Sequence, residues 1–350
     1  MMKTRRSNQS FVIYSAIFCL LTFILLFFAV KCKQLENELI IEKISNEVIR
    51  MKTVDSRHSR NILSNNEQLI FVGGIPRSGT TLMRAILDAH PDVRCGGETM
   101  LLPSFLQWQA TWRTEWVNNS GITNQVFDDA ISAFMTEIIG KHGRLADRLC
   151  NKDPYTALWL PTLRRLFPNS KYILMIRDAR AVIHSMIDRK VPVAGYNTTN
   201  DEEMFEKWNG EMRKMLFQCN NSPGQCIKVW HNTAMATVYY ERLIQKPMDE
   251  IQRITAFLDL PFDDRMLHHD ELIGKEVQID SQEFSASQVK NSINTSPLSS
   301  WYDCFSRDLL DKLDDLAPLL SILGYDTTTD KPSYEQFASD DFYMYRNVYS

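Results

Sequence analysis

The sequence lacks a basic excess: 39 Lys and Arg stand against 43 Asp and Glu, a net charge of −4. A nucleic-acid binder usually carries a clear positive surplus, so the balance argues against that class and no nucleic-acid partner is expected. A local basic pocket for a small anion stays open. The sequence also lacks any His, Cys, Asp and Glu cluster with metal-ligand spacing. His268 and His269 adjoin rather than share a helix face, so no metal is expected. No internal repeat is evident. What remains is ordinary globular composition, 44% hydrophobic and 23% charged over 350 residues. That suffices for one large α/β domain, or two small ones, with appendages.

Residues 11–30 carry no charge, a run of about 30 Å as a helix and enough to cross a bilayer. Lys3, Arg5 and Arg6 precede it, and Lys31 and Lys33 follow. A cleaved signal peptide has a shorter apolar stretch of about 7–15 residues and small residues at the cut. This run ends in Phe28-Ala29-Val30-Lys31 and reads as an uncleaved signal-anchor, with tail 1–10 cytosolic and the rest luminal. Cys95, Cys150, Cys219, Cys226 and Cys304 lie beyond it, an oxidising-compartment count with one to spare. Glycosylation triplets begin at Asn118, Asn197 and Asn220, with a fourth at Asn294 weakened by Pro297.

Residues 31–66 are polar, with Ile41, Ile44, Val48 and Met51 at a three-four-three spacing too short for a coiled coil, and read as a stem. Beyond them, short apolar runs alternate with helical periodicity. Strands are expected at 69–72, 171–176 and 237–240, and helices at 80–89, 126–139, 179–188, 201–217, 248–258 and 307–323. This alternation implies an α/β fold with a central parallel sheet wrapped by helices. The tail from 326 has no periodicity and is expected to be irregular.

Gly74-Ile75-Pro76-Arg77-Ser78-Gly79-Thr80-Thr81 fits G-x-x-x-x-G-x-[ST] between a strand and a helix. In that context backbone N–H groups at the turn and the helix start point at a phosphate. A nucleoside triphosphatase has Lys before the final Ser/Thr to reach the β and γ phosphates. Here that position is Thr80, and the loop's cation is Arg77, nearer its start. A triphosphatase is therefore not expected. Arg177, at the end of the second strand, and Ser185, about two helical turns on, form a candidate grip for one further phosphate.

These pieces resemble the sulfotransferase superfamily, and within it the protein-tyrosine sulfotransferases. The segments that carry the resemblance are 71–85, 87–91, Leu149-Cys150-Asn151-Lys152-Asp153-Pro154, 166–171, Leu267-His268-His269 and 272–275. The resemblance covers roughly 67–325 and implies a P-loop-like sulfotransferase fold. It also implies the donor 3′-phosphoadenosine 5′-phosphosulfate, a homodimer in the Golgi membrane, and tyrosine-containing secretory and membrane proteins as acceptors. By position in the family, Glu98 is the base for the phenolic proton, and Arg77, Lys152 and Ser285 stabilise the transition state. Ser78, Gly79, Thr80 and Thr81 would take the 5′ phosphate, and Arg177, Ser185 and Arg189 the 3′ phosphate. Tyr240, Gln288, Val289, Asn294 and Ser300 fall at nucleotide-binding positions. Cys95–Cys150 and Cys219–Cys226 match the family's two disulfides.

Three departures stand out. Two family arginines that meet acidic groups beside the acceptor tyrosine are Met100 and Ser104, and a nucleotide-contacting lysine is Ser300, for which Lys290 is a candidate substitute. About nine residues around Trp230 are extra. A Golgi carbohydrate sulfotransferase with the same donor is the enzyme alternative, and Met100, Ser104 and Ser300 motivate the other, an impaired relative that only binds partners.

Overall fold

The computed structural model describes residues 66–111, 119–144, 146–216, 235–280 and 283–343, with Lys31, Lys33 and Gln34. The apolar run 11–30, the spaced apolar positions of the stem, Asn118, Asn220, Cys219, Cys226 and the residues around Trp230 lie outside the described residues. Among the described residues no helix is long and apolar enough to cross a membrane. The chain divides into residues 1–62 and 63–350, and every element below belongs to the second unit.

The sheet has five parallel strands: β1 (Ile70–Gly74), β2 (Val93–Arg94), β3 (Arg148–Lys152), β4 (Lys171–Ile176) and β5 (Met235–Tyr239), in spatial order β2-β3-β1-β4-β5. Parallel strands are linked by crossovers that cover both faces, so their residues are apolar on both sides. In β1 all five residues are buried. Phe71, Tyr172 and Leu174 join one core, and Ile70, Val72, Ile173 and Met175 the other, the alternation that a period of two requires.

Helix α1 (Thr80–Asp88) follows β1 and packs Met83, Ile86 and Leu87 into the second core. Helices α2 (Leu101–Thr111), α3 (Asn124–Lys141) and α4 (Leu160–Leu166) follow in the chain. Next come α5 (Ala179–Asp188), directly after β4, and α6 (Asp201–Leu216). The latter turns Met204, Phe205, Trp208, Met212 and Met215 into the first core. After β5, α7 (Tyr240–Gln245) begins at once, and α8 (Pro247–Phe257) seats Ile251 and Ile254 on the second core.

Two expectations need correction. Tyr240 opens a helix rather than ending a strand. The periodic stretch 307–323 is three short helices, Arg307–Leu310, Leu313–Leu316 and Leu319–Ile322. Ala317 precedes Pro318 and takes φ −139° and ψ 58°, as the proline ring disfavours the helical region for its predecessor. From 326 to 343 the chain is irregular save for the 3₁₀ turn Glu335–Ala338, yet Tyr334, Phe337 and Phe342 are buried in the first core.

Candidate active site

The loop between β1 and α1 is shaped by residues in left-handed conformations. Gly79, which caps α1, has φ 100°, and a Cβ there would meet the Tyr240 ring at 2.5 Å. Only glycine fits both demands. Arg77 is left-handed too, at φ 76°, a strained conformation for a residue with a Cβ. Three side chains hold it there. Arg77 donates from Nε to Ser185 Oγ at 3.1 Å, from Nη1 to Ser285 Oγ at 2.6 Å and from Nη2 to Gln288 Oε1 at 2.5 Å. Burial, then the neighbouring Arg177 and Arg189 charges, lowers its pKa to about 10, so it remains a cation at neutral pH. Ser78 Oγ is buried at the start of α1 without a hydrogen-bond partner. A helix start carrying an unsatisfied donor suits an anionic oxygen.

Arg177 leaves the end of β4 and ties the same loop down. It donates from Nη1 to the Arg77 carbonyl at 3.0 Å and from Nη2 to the Pro297 carbonyl at 3.3 Å. Its guanidinium lies 4.3 Å from the Tyr240 ring centroid, a cation–π contact. Arg77, Gly79, Thr81, Arg177, Tyr240, Ser285, Gln288, Val289, Asn294 and Pro297 therefore line one cleft. Two strand ends, two helix starts and the segment 285–297 converge there, outside the carboxyl ends of parallel strands, where such folds bind ligands.

Beside that cleft Lys152 ends β3 with no solvent exposure. Its ammonium pairs closely with Glu98, lies 3.4 Å from Glu283 Oε2 and 3.5 Å from Thr81 Oγ1. The neighbouring Asp153 does not pair with it. That carboxylate instead accepts from the backbone N–H of Thr99 at 2.9 Å, the backbone N–H of Met100 at 2.8 Å and Asn151 Nδ2 at 3.0 Å. A disulfide joins Cys95 to Cys150. The loop bearing Glu98 is thus fastened to β3 on both sides of the glutamate, by a covalent bond and a buried carboxylate.

A family model described as "Sulfotransferase family" matches residues 69–264. A Caenorhabditis briggsae protein, provisionally named a protein-tyrosine sulfotransferase, is 76% identical over 289 residues, 83% of this chain and all of that one. Protein-tyrosine sulfotransferase A of Caenorhabditis elegans is 44% identical over 76% of this chain and 69% of its own. Human protein-tyrosine sulfotransferase 1 is 42% identical over 76% and 72%. The chain belongs to the protein-tyrosine sulfotransferase family. Among solved structures, a sulfotransferase domain from the curacin biosynthetic pathway superposes with TM-score 0.51 at 21% identity, over 74% of this chain and 98% of that domain. That likeness is one of fold.

Within the sulfotransferase frame, the structure brings together Arg77, Ser78, Gly79, Thr80, Thr81, Arg177, Ser185, Tyr240, Ser285 and Gln288. Two other expected nucleotide residues sit at the margin. Arg189 is exposed at the end of α5, and Ser300 is exposed and donates to the Pro297 carbonyl at 3.2 Å. Lys290 is likewise exposed. Met100 and Ser104 line a separate cleft of about 790 Å³ with Tyr155, Trp159, Lys207 and Lys214. Glu283, beside Lys152, and Arg84, which pairs with Glu283, are not marked in the sequence: Arg84 sits one turn into a helix and Glu283 in a polar loop, with no local pattern at either. Among the described residues no cluster suited to a metal ion occurs.

Proposed function

We propose that this enzyme transfers a sulfuryl group from 3′-phosphoadenosine 5′-phosphosulfate to the phenolic oxygen of tyrosine in secretory-pathway proteins. The observation that carries the reading is the placement of a buried lysine, Lys152, against a half-buried carboxylate, Glu98, beside the Arg77 phosphate loop. The named activities of the relatives support it. When bound, the donor supplies an activated sulfuryl group. Ser78, Gly79, Thr80 and Thr81 would hold its 5′ phosphate at the start of α1, and Arg177, Ser185 and Arg189 its 3′ phosphate. Tyr240 would line the adenosine.

Glu98 takes the proton of the phenol as its oxygen attacks sulfur, so an O–H bond at the acceptor is replaced by one at the carboxylate. Arg77 and Lys152 meet the charge that grows on the leaving 5′-phosphate oxygen, and Ser285 meets the sulfuryl oxygens. Incubating the full-length protein with labelled donor and with either tyrosine peptides or glycans tests this reading. Label is expected on tyrosine, with a loss of about a hundredfold or more in Glu98→Ala. Label on glycans alone, or full activity of that variant, rejects it. A chain that only binds partners would show donor or peptide binding without turnover.

We place the catalytic unit in the Golgi lumen behind a signal-anchor at 11–30. The Cys95–Cys150 disulfide and an exposed Asn197 in a glycosylation triplet support an oxidising, glycosylating compartment. A mobility shift on glycosidase treatment, smaller in Asn197→Gln than in wild type, would accompany luminal exposure of that segment.

A further inference from the structure

Lys152 has two carboxylate neighbours, and they differ in how firmly they are held. Glu98 keeps 25% of its side chain exposed and stands two residues before Met100, which lines the second cleft. Glu283 is only 10% exposed, and its other oxygen, Oε1, pairs closely with Arg84 Nη1. Arg84 is in turn 1% exposed. It also bonds the Gln278 carbonyl and lies 3.4 Å from Asp88 Oδ2. The other Asp88 oxygen accepts from the Cys95 backbone N–H at 2.6 Å. Arg84 and Asp88 both belong to α1, the helix that starts at the phosphate loop. A buried chain therefore runs Asp88–Arg84–Glu283–Lys152, and Glu98 closes it from the open side. Glu283 reaches the second cation as well. Its backbone carbonyl accepts from the Ala286 N–H at 2.8 Å, in the turn that presents Ser285 to Arg77.

An ammonium with no solvent contact needs a permanent counter-charge. Glu98 cannot be that partner throughout the reaction proposed above, because the phenolic proton neutralises it at the moment the lysine must face the leaving oxygen. We propose that Glu283 is the positioning residue for Lys152. Clamped by Arg84, it holds the ammonium in place while Glu98 gains its proton and releases its grip. The Arg84–Glu283 pair thereby links the helix that cradles the phosphate to the cation that meets the leaving group. Glu283 takes no proton and makes no contact with the reacting atoms.

This inference rests on the reading of Glu98 as base, and a steady-state comparison separates the two. Glu283→Gln keeps the shape and an acceptor for Arg84 while removing the charge. It is expected to lower kcat by about 10- to 100-fold, the scale for misplacing a catalytic group. KM for donor and for acceptor peptide should stay within about threefold, because Glu283 lines neither cleft. Glu283→Asp, which keeps the charge but shortens the reach to Lys152, should recover part of that loss. It also carries the test if the Gln variant does not fold. A kcat within twofold of wild type in both variants, or a loss that falls wholly on KM, overturns the role of Glu283. Full activity in Glu98→Ala overturns the underlying reading instead.

Discussion

The Asp153 carboxylate accepts the backbone N–H of Met100 at 2.8 Å from a position with no solvent exposure. Met100 is held at φ 57°, a left-handed conformation rare for a side chain of its size. With the bonds from Thr99, this carboxylate sets the exit of the Glu98 loop. Asp153→Asn replaces one acceptor oxygen by a donor that faces Asn151 Nδ2 or the Thr99 hydroxyl. The change should lower stability by about 1–3 kcal/mol, the cost of unmaking buried charge-assisted bonds. Denaturant unfolding measures that loss, and a fall in kcat larger than the rise in KM would mark the displaced base.

Gly79→Ala is a sharper probe of the nucleotide side. The new methyl would sit against the Tyr240 ring, in a backbone conformation that disfavours it. A stability loss of about 1–3 kcal/mol is expected from the strain. Calorimetric affinity for the bisphosphate product should fall as well. Combining Gly79→Ala with Tyr240→Ala removes the clash and should cost less stability than the two single losses added together; strictly additive losses would mean that Tyr240 is not what opposes the new methyl.

How much of this was legible beforehand varied with the origin of each feature. Strand β4 and helix α5 were readable at their observed bounds, because a continuous apolar run and a 3.6-residue periodicity are local properties. Strand β3 was not expected, although it lies beside β1 near the centre of the sheet. Its residues Cys150 and Lys152 are tolerated there because partners far along the chain satisfy them, Cys95 for the first and Glu98 and Glu283 for the second. Lys152 by itself reads as a surface charge, and the family pattern was what marked it. Arg77 was legible in the phosphate-loop motif, and Glu98 and Lys152 came from the family pattern; the anchoring by Glu283 and Arg84 exists only in three dimensions.

Glu241 gives the fold a pH dependence of its own. It is fully buried, accepts from the Asp178 N–H at 3.0 Å and the Tyr325 hydroxyl at 2.8 Å, and burial raises its pKa from 4.5 to about 7. A carboxyl more basic in the folded state favours folding at low pH, and that contribution is lost as pH rises from 4.5 through 7. The rise from 4.5 to about 7 corresponds to roughly 3 kcal/mol of stability lost between pH 4 and pH 8. Glu241→Gln keeps an acceptor for Asp178 and removes the titration. Its melting temperature should therefore decline less than that of wild type from pH 5 to pH 8, and parallel profiles would contradict the assignment.

The acceptor side offers the last test, because Met100 and Ser104 stand where the family resemblance implies arginines. Met100 is exposed, and Ser104 donates to the Met100 carbonyl at 2.7 Å, so the two stand one helical turn apart on the same wall of the cleft. Lys207 already pairs with Glu211 at 3.2 Å, which leaves Lys214 as the lining cation without an ion-pair partner among the described residues. Wild-type enzyme should thus discriminate weakly between acidic and neutral peptides. Met100→Arg with Ser104→Arg adds two solvent-facing cations, each worth about 0.2–1 kcal/mol against a peptide carboxylate. KM for an acidic peptide should drop about two- to tenfold, less so at high salt, with kcat and the neutral peptide little changed. If the neutral peptide gains as much, the arginines act by packing, and the cleft at Met100 does not read acceptor charge.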